Sequence, residues 1–489
     1  MLFNSHIFML LFLPLLLAGW YFLNWKKKFQ LAQGYLIGMS LWFYAYANLQ
    51  YLWLLLFSCL IGWLLSCLPE KIFSEKGKKV LTGVGCVFHL GLLGYFKYSN
   101  FFLENLNTVF HTDFPMLQIL LPVGISFYTF QQLAYLIDRC RKDAPRDSFF
   151  DYLTFMVYFP QLLQGPILLR SEFMGQLKEP ERRRFHAERF SEGIQFFVFG
   201  LAKKVLLADT LAKAVNYGYS NVSMLDSISA LLLAVGYLTE LYFDFSGYCD
   251  MAVGLGKMIG LEVAENFDAP FHSASVKEFW RRWHMTLGRF FTRYVYIPLG
   301  GNRRGKMRTL CNVMIVMLLS GLWHGAAWTF VLWGFLHGVG MIWDNLEHPH
   351  LPKKWMRQAA TFAYVCMTFV FFRAESIAQG IDVLKSIVSL KWNGFVFQMA
   401  SALDMTECYM ITKALSMKLP GLLSWFWLGV FVVLIAICFR VLSGEKVSGV
   451  VALKRQKGYG RLYPVLLAVL FTWSMISMTG VSEYLYFSF

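Results

Sequence analysis

Long apolar runs dominate the pattern of hydrophobic and polar positions. They recur along most of the chain, and many reach the roughly 20 residues a bilayer-spanning helix needs. Short polar segments punctuate them. The first run, IFMLLFLPLLLAGWYFL, lacks a basic flank before it and a small-residue cleavage site after it, so it reads as a retained span. Lys26, Lys27 and Lys28 follow it. The next short loop, near Asn48, has no Lys or Arg; the one after carries Lys71, Lys76, Lys78 and Lys79. The segment from Tyr98 to Leu117 again has none, and DRCRKDAPRD is basic once more. Basic loops stay in the cytoplasm, so this alternation predicts an outside N-terminus.

Beyond Asp151 the pattern loosens. YLTFMVYFPQLLQGPILL is apolar but interrupted by Pro160, Gly165 and Pro166, with basic segments on both sides. A segment that enters and returns on one side fits it, since broken backbone at membrane depth must be surrounded by protein or water. Spans are expected around Phe190 to Asn216 and Ile228 to Gly247. The stretch from Lys277 to Arg308 holds nine Lys or Arg against one acid, Glu278, and should face the cytoplasm. Leu310 to Trp343 is long for one span and predicts a hairpin or a broken pair. Further spans are expected over residues 358 to 373, 422 to 440 and 462 to 480. The total is about 11 or 12 membrane spans, with re-entrant and amphipathic helices besides, in an all-α polytopic membrane protein that forms one domain over residues 1–489. The longest connection between spans, 375 to 420, is expected outside.

Composition agrees: 57% of residues are hydrophobic and 15% charged, against about a quarter charged in an average soluble domain. The ~10-residue alternating segments of a β-barrel are absent. The net charge of +15 sits in loops between spans, where it sets orientation and meets anionic lipid; no nucleic-acid motif accompanies it. The nine cysteines form no CxxC pair, so neither a metal site nor a disulfide framework is expected. Without a Walker A loop, a GxGxxG after a strand or a GxSxG elbow, ATP hydrolysis and dinucleotide chemistry are unsupported.

Four features could carry chemistry. His324 lies in the middle of LLSGLWHGAAWTFVLWGFLHG, and an ionisable residue within a membrane segment is a functional-site hypothesis by default. A histidine hydrogen-bonded within the bundle is the plainer alternative. Gly321, Gly325 and Ala326 around it allow close helix contact or approach of a substrate. Val276 to Phe291 reads as an amphipathic surface helix, with Phe279, Trp280, Trp283, Leu287 and Phe290 on one face and Arg281, Arg282 and Arg289 elsewhere. Those arginines would anchor anionic lipid or bind the phosphates of a nucleotide-bearing donor such as coenzyme A. His284, between two tryptophans and two arginines, is a second candidate, kept neutral by nearby cations. Glu240 and Asp244 share a helix face; a buried ion pair with an arginine and a proton path are both open. FPQLLQGPIL could shape a cavity wall.

Together LPVGISFYTFQQLAYLIDRCR, FPQLLQGPIL, YFDFSGYCDMAVGLGKMIGLEVAENFDAPF, EFWRRWHMTLGRFFTRYVYIPLGGNRRG and GLWHGAAWTFVLWGFLHG resemble the membrane-bound O-acyltransferases. KYSNFF and the ending YLYFSF resemble the bacterial branch typified by the alginate O-acetylation membrane protein. The likeness covers Met1 to about Ala374. It implies tilted helices around a tunnel where donor and acceptor meet at an intramembrane histidine. His324, in WHG, matches the family's catalytic histidine; His284, in RRWH, matches the second. Residues 276–345 would then be the catalytic region, with Trp323, Glu240 and Asp244 as candidates to line the tunnel. The resemblance implies no bound cofactor. It implies transfer of acetyl from cytoplasmic acetyl-coenzyme A toward an extracytoplasmic polysaccharide, completed by an extracytoplasmic partner protein of acetyltransferase or esterase fold. The site would be the bacterial inner membrane. Within the family, D-alanyl transfer to teichoic acid from a carrier-protein thioester is the alternative. Outside it, a proton-coupled transporter or a structural subunit would also explain a buried histidine.

Overall fold

A computed structural model describes residues 1–67, 74–346, 352–442, 446–458, 460, 462–478 and 485. Lys71 and all of the YLYFSF ending except Leu485 lie outside the described residues. Helices make up the described chain, with no strand among the described residues. Six are long and apolar enough to cross a membrane: Phe8–Trp25, Leu49–Cys67, Glu75–Phe110, Ser227–Ile259, Lys306–His324 and Pro420–Leu442. Trp328–Trp343 and Leu462–Ser477 are shorter apolar helices. The other spans expected from hydropathy fall on helices that are short, broken by π turns or charged at one end. These include Ile125–Cys140, Ala187–Ala202 continued by Lys203–Ala208, and Lys354–Arg373.

Phe29–Cys67 runs as one helical element with no loop near Asn48, but it is sharply bent. Gln33 donates to Asp151 at 2.9 Å, and Trp63 Nε1 donates to the carbonyl of Asp147 at 3.1 Å. Two side chains thirty residues apart thus reach one short segment, so the two halves lie side by side. The segment interrupted by Pro160, Gly165 and Pro166 brings its two ends together. Phe149–Val157 and Phe159–Leu162 are followed by irregular backbone that is buried throughout. Asp147 and Arg170, at its two ends, form a two-point ion pair, one contact of which is Nε to Oδ2 at 2.7 Å. Such a pairing closes the segment at its base and fixes geometry as well as charge. The Ser227–Ile259 helix, most of it buried, runs through the centre of the molecule.

Leu310 to Trp343 is a broken pair. Lys306–His324 and Trp328–Trp343 pack against each other through Gly321 and Gly334. A Cβ on Gly321 would run into the Phe330 carbonyl oxygen, and one on Gly334 into that of Met317. Small residues of this kind let two backbones touch inside a membrane. Gly321→Val should therefore separate the two helices, at about 1–3 kcal/mol of overpacking. A lower thermal midpoint in detergent, read by size-exclusion recovery after heating, checks this; an unchanged midpoint would refute it.

The connection over residues 375 to 420 contains three helices that hydropathy does not predict: Ile377–Val388, Phe395–Ser401 and Tyr409–Lys418. Val383, Phe395, Val396, Met399 and Ala400 are buried.

Candidate active site

His324 is not in the middle of a span. It is the last residue of its helix, and Gly325, in extended backbone at φ −160° and ψ 152°, ends the helical path before Trp328 restarts it. Eighteen residues from Lys306 put the imidazole about 27 Å along the helix axis. It is 3% exposed. The rings of Trp323, Trp333 and Phe372 stand edge-on to it at 4.9, 5.2 and 5.2 Å between centroids.

The Val276 to Phe291 stretch is not one surface helix. It divides into Val276–Arg282 and Met285–Phe291, with His284 between them in the left-handed region at φ 46°. The break is held from outside: the Asn266 carbonyl oxygen accepts the Met285 N–H at 2.9 Å, and Asn266 Oδ1 accepts the Thr286 N–H at 3.0 Å. Phe279, Trp283, Leu287 and Phe290 are buried in protein rather than turned to lipid. The break swings His284 inward, 6.3 Å from His324 between ring centroids and 4.7 Å from Phe245, with Nδ1 3.3 Å from Asn266 Oδ1. Burial, rather than the neighbouring cations, pushes its pKa down to about 3. It is therefore a neutral imidazole at any physiological pH.

A third histidine joins this cluster, one that sequence reasoning missed. His337 is fully buried, and its ring lies 4.8 Å from Trp333. Trp280 Nε1 donates to its Nδ1 at 3.2 Å. Thr368 Oγ1 donates its own proton to the Val365 carbonyl, so it accepts from His337 Nε2 at 3.0 Å. Both ring nitrogens are thus committed, in the Nε2–H tautomer. The signal was its place in an apolar helix thirteen positions after His324.

One cavity reaches His324, and a second is lined by the same helix one turn earlier. The first, about 40 Å³, touches the histidine directly and is lined also by Trp323, Lys97, Leu163 and the loop from Leu121 to Phe127. The other, about 440 Å³, is walled by Lys277, Trp280, Arg281, Arg289, Tyr296 and Ser320 among others. Ser320 is one helical turn short of His324. The three arginines separate here. Arg281 and Arg289 line the larger cavity and Arg282 does not. Arg289 forms a two-point ion pair with Glu172, and Arg282 binds Glu278 at 2.9 Å.

Glu240 and Asp244 line neither cavity beside His324. Asp244 is paired, but with Lys204 at 2.5 Å rather than with an arginine, and its other oxygen accepts the Leu485 N–H at 3.1 Å. Glu240 is 2% exposed.

The sequence model of the MBOAT, membrane-bound O-acyltransferase family, matches residues 142–381, which hold both His284 and His324. A Helicobacter pylori protein named peptidoglycan O-acetyltransferase is 35% identical over 423 residues, 80% of this chain and 80% of its own length. An Azotobacter vinelandii protein named probable alginate O-acetylase is 39% identical over 389 residues, 77% of this chain and 76% of its own. A Streptococcus thermophilus teichoic acid D-alanyltransferase is 28% identical over 253 residues, 49% of this chain and 58% of its own. The chain belongs to the membrane-bound O-acyltransferase family, in the branch that contains alginate O-acetylases, and is a multi-pass membrane O-acyltransferase.

Proposed function

We propose that this enzyme moves an acetyl group from cytoplasmic acetyl-coenzyme A to an acceptor hydroxyl on the other side of the bacterial inner membrane, for O-acetylation of an envelope polysaccharide. The observation that carries this is the placement of His324 at a helix break, lining the smaller cavity and one helical turn beyond Ser320, which lines the cavity with basic walls. Lys277, Arg281 and Arg289 suit the phosphates of a coenzyme A thioester. The acetyl end then points along the cavity toward Ser320 and His324.

His324 acts as general base. It takes the proton from the attacking hydroxyl as the oxygen bonds to the thioester carbonyl carbon. The carbon–sulfur bond then breaks, and the thiolate leaves with the proton that His324 returns. Neutral His284, beside it, orients the reacting groups. The acceptor is a sugar hydroxyl or a hydroxyl on an extracytoplasmic partner of esterase fold that completes transfer to the polymer. The alternation of basic loops supports this orientation, with the N-terminus outside and the larger cavity opening to the cytoplasm.

Acetyl is favoured over D-alanyl because the O-acetyltransferase relatives are more similar and extend over far more of the chain than the D-alanyltransferase. Membranes containing the protein, supplied with acetyl-coenzyme A labelled in the acetyl group, should pass label to base-labile esters on the polysaccharide. Label passed only from a D-alanyl carrier thioester would reject the reading. Arg281→Gln should raise the KM for acetyl-coenzyme A about tenfold, the size of one lost charged hydrogen bond, with kcat little changed. Arg282→Gln, outside the cavity, should leave KM unaltered. Equal effects from the two would assign the charge to membrane anchoring instead.

A further inference from the structure

Lys97 sits in an apolar stretch, inside the π turn Gly94–Tyr98 that joins the two parts of the Glu75–Phe110 helix. A π turn inserts one residue into the α ladder and rotates the rest of the helix about its axis, and such turns are frequent at functional sites. Here it lets two successive side chains reach the same distant helix end. The Tyr98 hydroxyl donates to the Leu322 carbonyl at 2.5 Å. Lys97 Nζ donates to the Trp323 carbonyl at 2.8 Å and the His324 carbonyl at 2.9 Å, and lies 3.5 Å from Ser126 Oγ.

The last four carbonyls of a helix have no partner within it. For the helix ending at His324, the first of these, on Gly321, accepts the Gly325 N–H at 3.3 Å. Lys97 and Tyr98 take the other three. No carboxylate among the described residues pairs with Lys97. Its charge stands instead against carbonyl oxygens at the negative end of the helix dipole, the favourable arrangement for a cation.

A lysine that merely capped a helix would stabilise the fold and do nothing else. Two features of Lys97 go beyond capping. The residue whose carbonyl it holds is His324 itself, and Lys97 and His324 line the same 40 Å³ cavity. Moving the ammonium would move the imidazole and change the charge of that cavity together. We propose that Lys97 is a positioning residue for acyl transfer, holding His324 at the helix break so that its ring faces the cavity. This rests on the reading of His324 as the general base.

The test compares Lys97→Met, Lys97→Arg, Tyr98→Phe and His324→Ala in the full-length protein, in membranes that carry the acceptor. Label transfer is measured against acetyl-coenzyme A concentration, and thermal midpoints are measured alongside. Lys97→Met should lower kcat about tenfold to a hundredfold, the scale of a small misplacement of a reacting group. KM should stay within about twofold, because donor binding is remote from the clamp. Lys97→Arg keeps the charge and several donors and should restore most of the rate. Tyr98→Phe, which removes no charge and no contact with His324, should do less harm than Lys97→Met. A Lys97→Met enzyme with wild-type kcat would overturn the proposal. So would an arginine variant as slow as the methionine one with the same midpoint. An active His324→Ala enzyme would instead remove the functional reading beneath it, leaving Lys97 a helix cap.

Discussion

Replacing His324 by alanine should reduce acetyl transfer by about 10²–10⁴-fold, the usual contribution of a general base, while the protein stays inserted and folded. The two halves of this expectation rest on different contacts. On the proposed mechanism, catalysis depends on the imidazole. The local fold depends on the backbone carbonyls of residues 322 to 324, which Tyr98 and Lys97 bind whatever the side chain. The alanine variant leaves an apolar gap against Trp323, Trp333 and Phe372, which lowers the midpoint modestly. Matched expression, an unchanged elution profile and loss of ester label together would support the assignment. Transfer at near the wild-type rate would remove it.

Lys204→Met should cost more stability than either Gly321→Val or His324→Ala. The Lys204 side chain is 2% exposed and lies 2.5 Å from Asp244 and 2.8 Å from Asp209. Removing a buried cation leaves a buried carboxylate without its counter-charge, which costs about 3–5 kcal/mol. The thermal midpoint in detergent should fall sharply, and adding Asp244→Asn to the lysine variant should recover part of the loss. If the single variant melts with the wild type, the pair carries no weight in the fold.

Much of the architecture was legible because hydropathy and backbone chemistry act locally. Pro160, Gly165 and Pro166 cannot sit in one straight helix, and the structure shows a broken segment whose ends, Asp147 and Arg170, pair. His324 was visible as an ionisable group in an apolar run. The features hidden from sequence depend on partners far along the chain. The clamp between Lys97 and His324 joins residues 227 positions apart. The division of the helix at His284 follows from Asn266 capturing two backbone N–H groups, which no periodicity records. Arg281, Arg282 and Arg289 look alike as charges in a row, yet Glu172 and Glu278 hold two of them. Lys204 escaped notice because its acids lie on another helix and just beyond its own π turn. Residues 375 to 420 lack an apolar run long enough for a span, so a reading for spans passes over their helices, although Ile377–Val388 is amphipathic and buries Val383 against the core.

The aromatic collar around His324 has a consequence for the cell's energy supply. Rings stand at 4.9 to 5.2 Å on three sides of an imidazole that is 3% exposed, and the two cavities share no lining residue among the described residues. On the proposed reading, the chemistry crosses the membrane where ions cannot. An acyl group changes hands from one atom to another, and no solute passes through a pore. On that reading a cell would decorate its surface from a cytoplasmic metabolite without short-circuiting its proton gradient, the proposed catalytic centre serving also as the gasket.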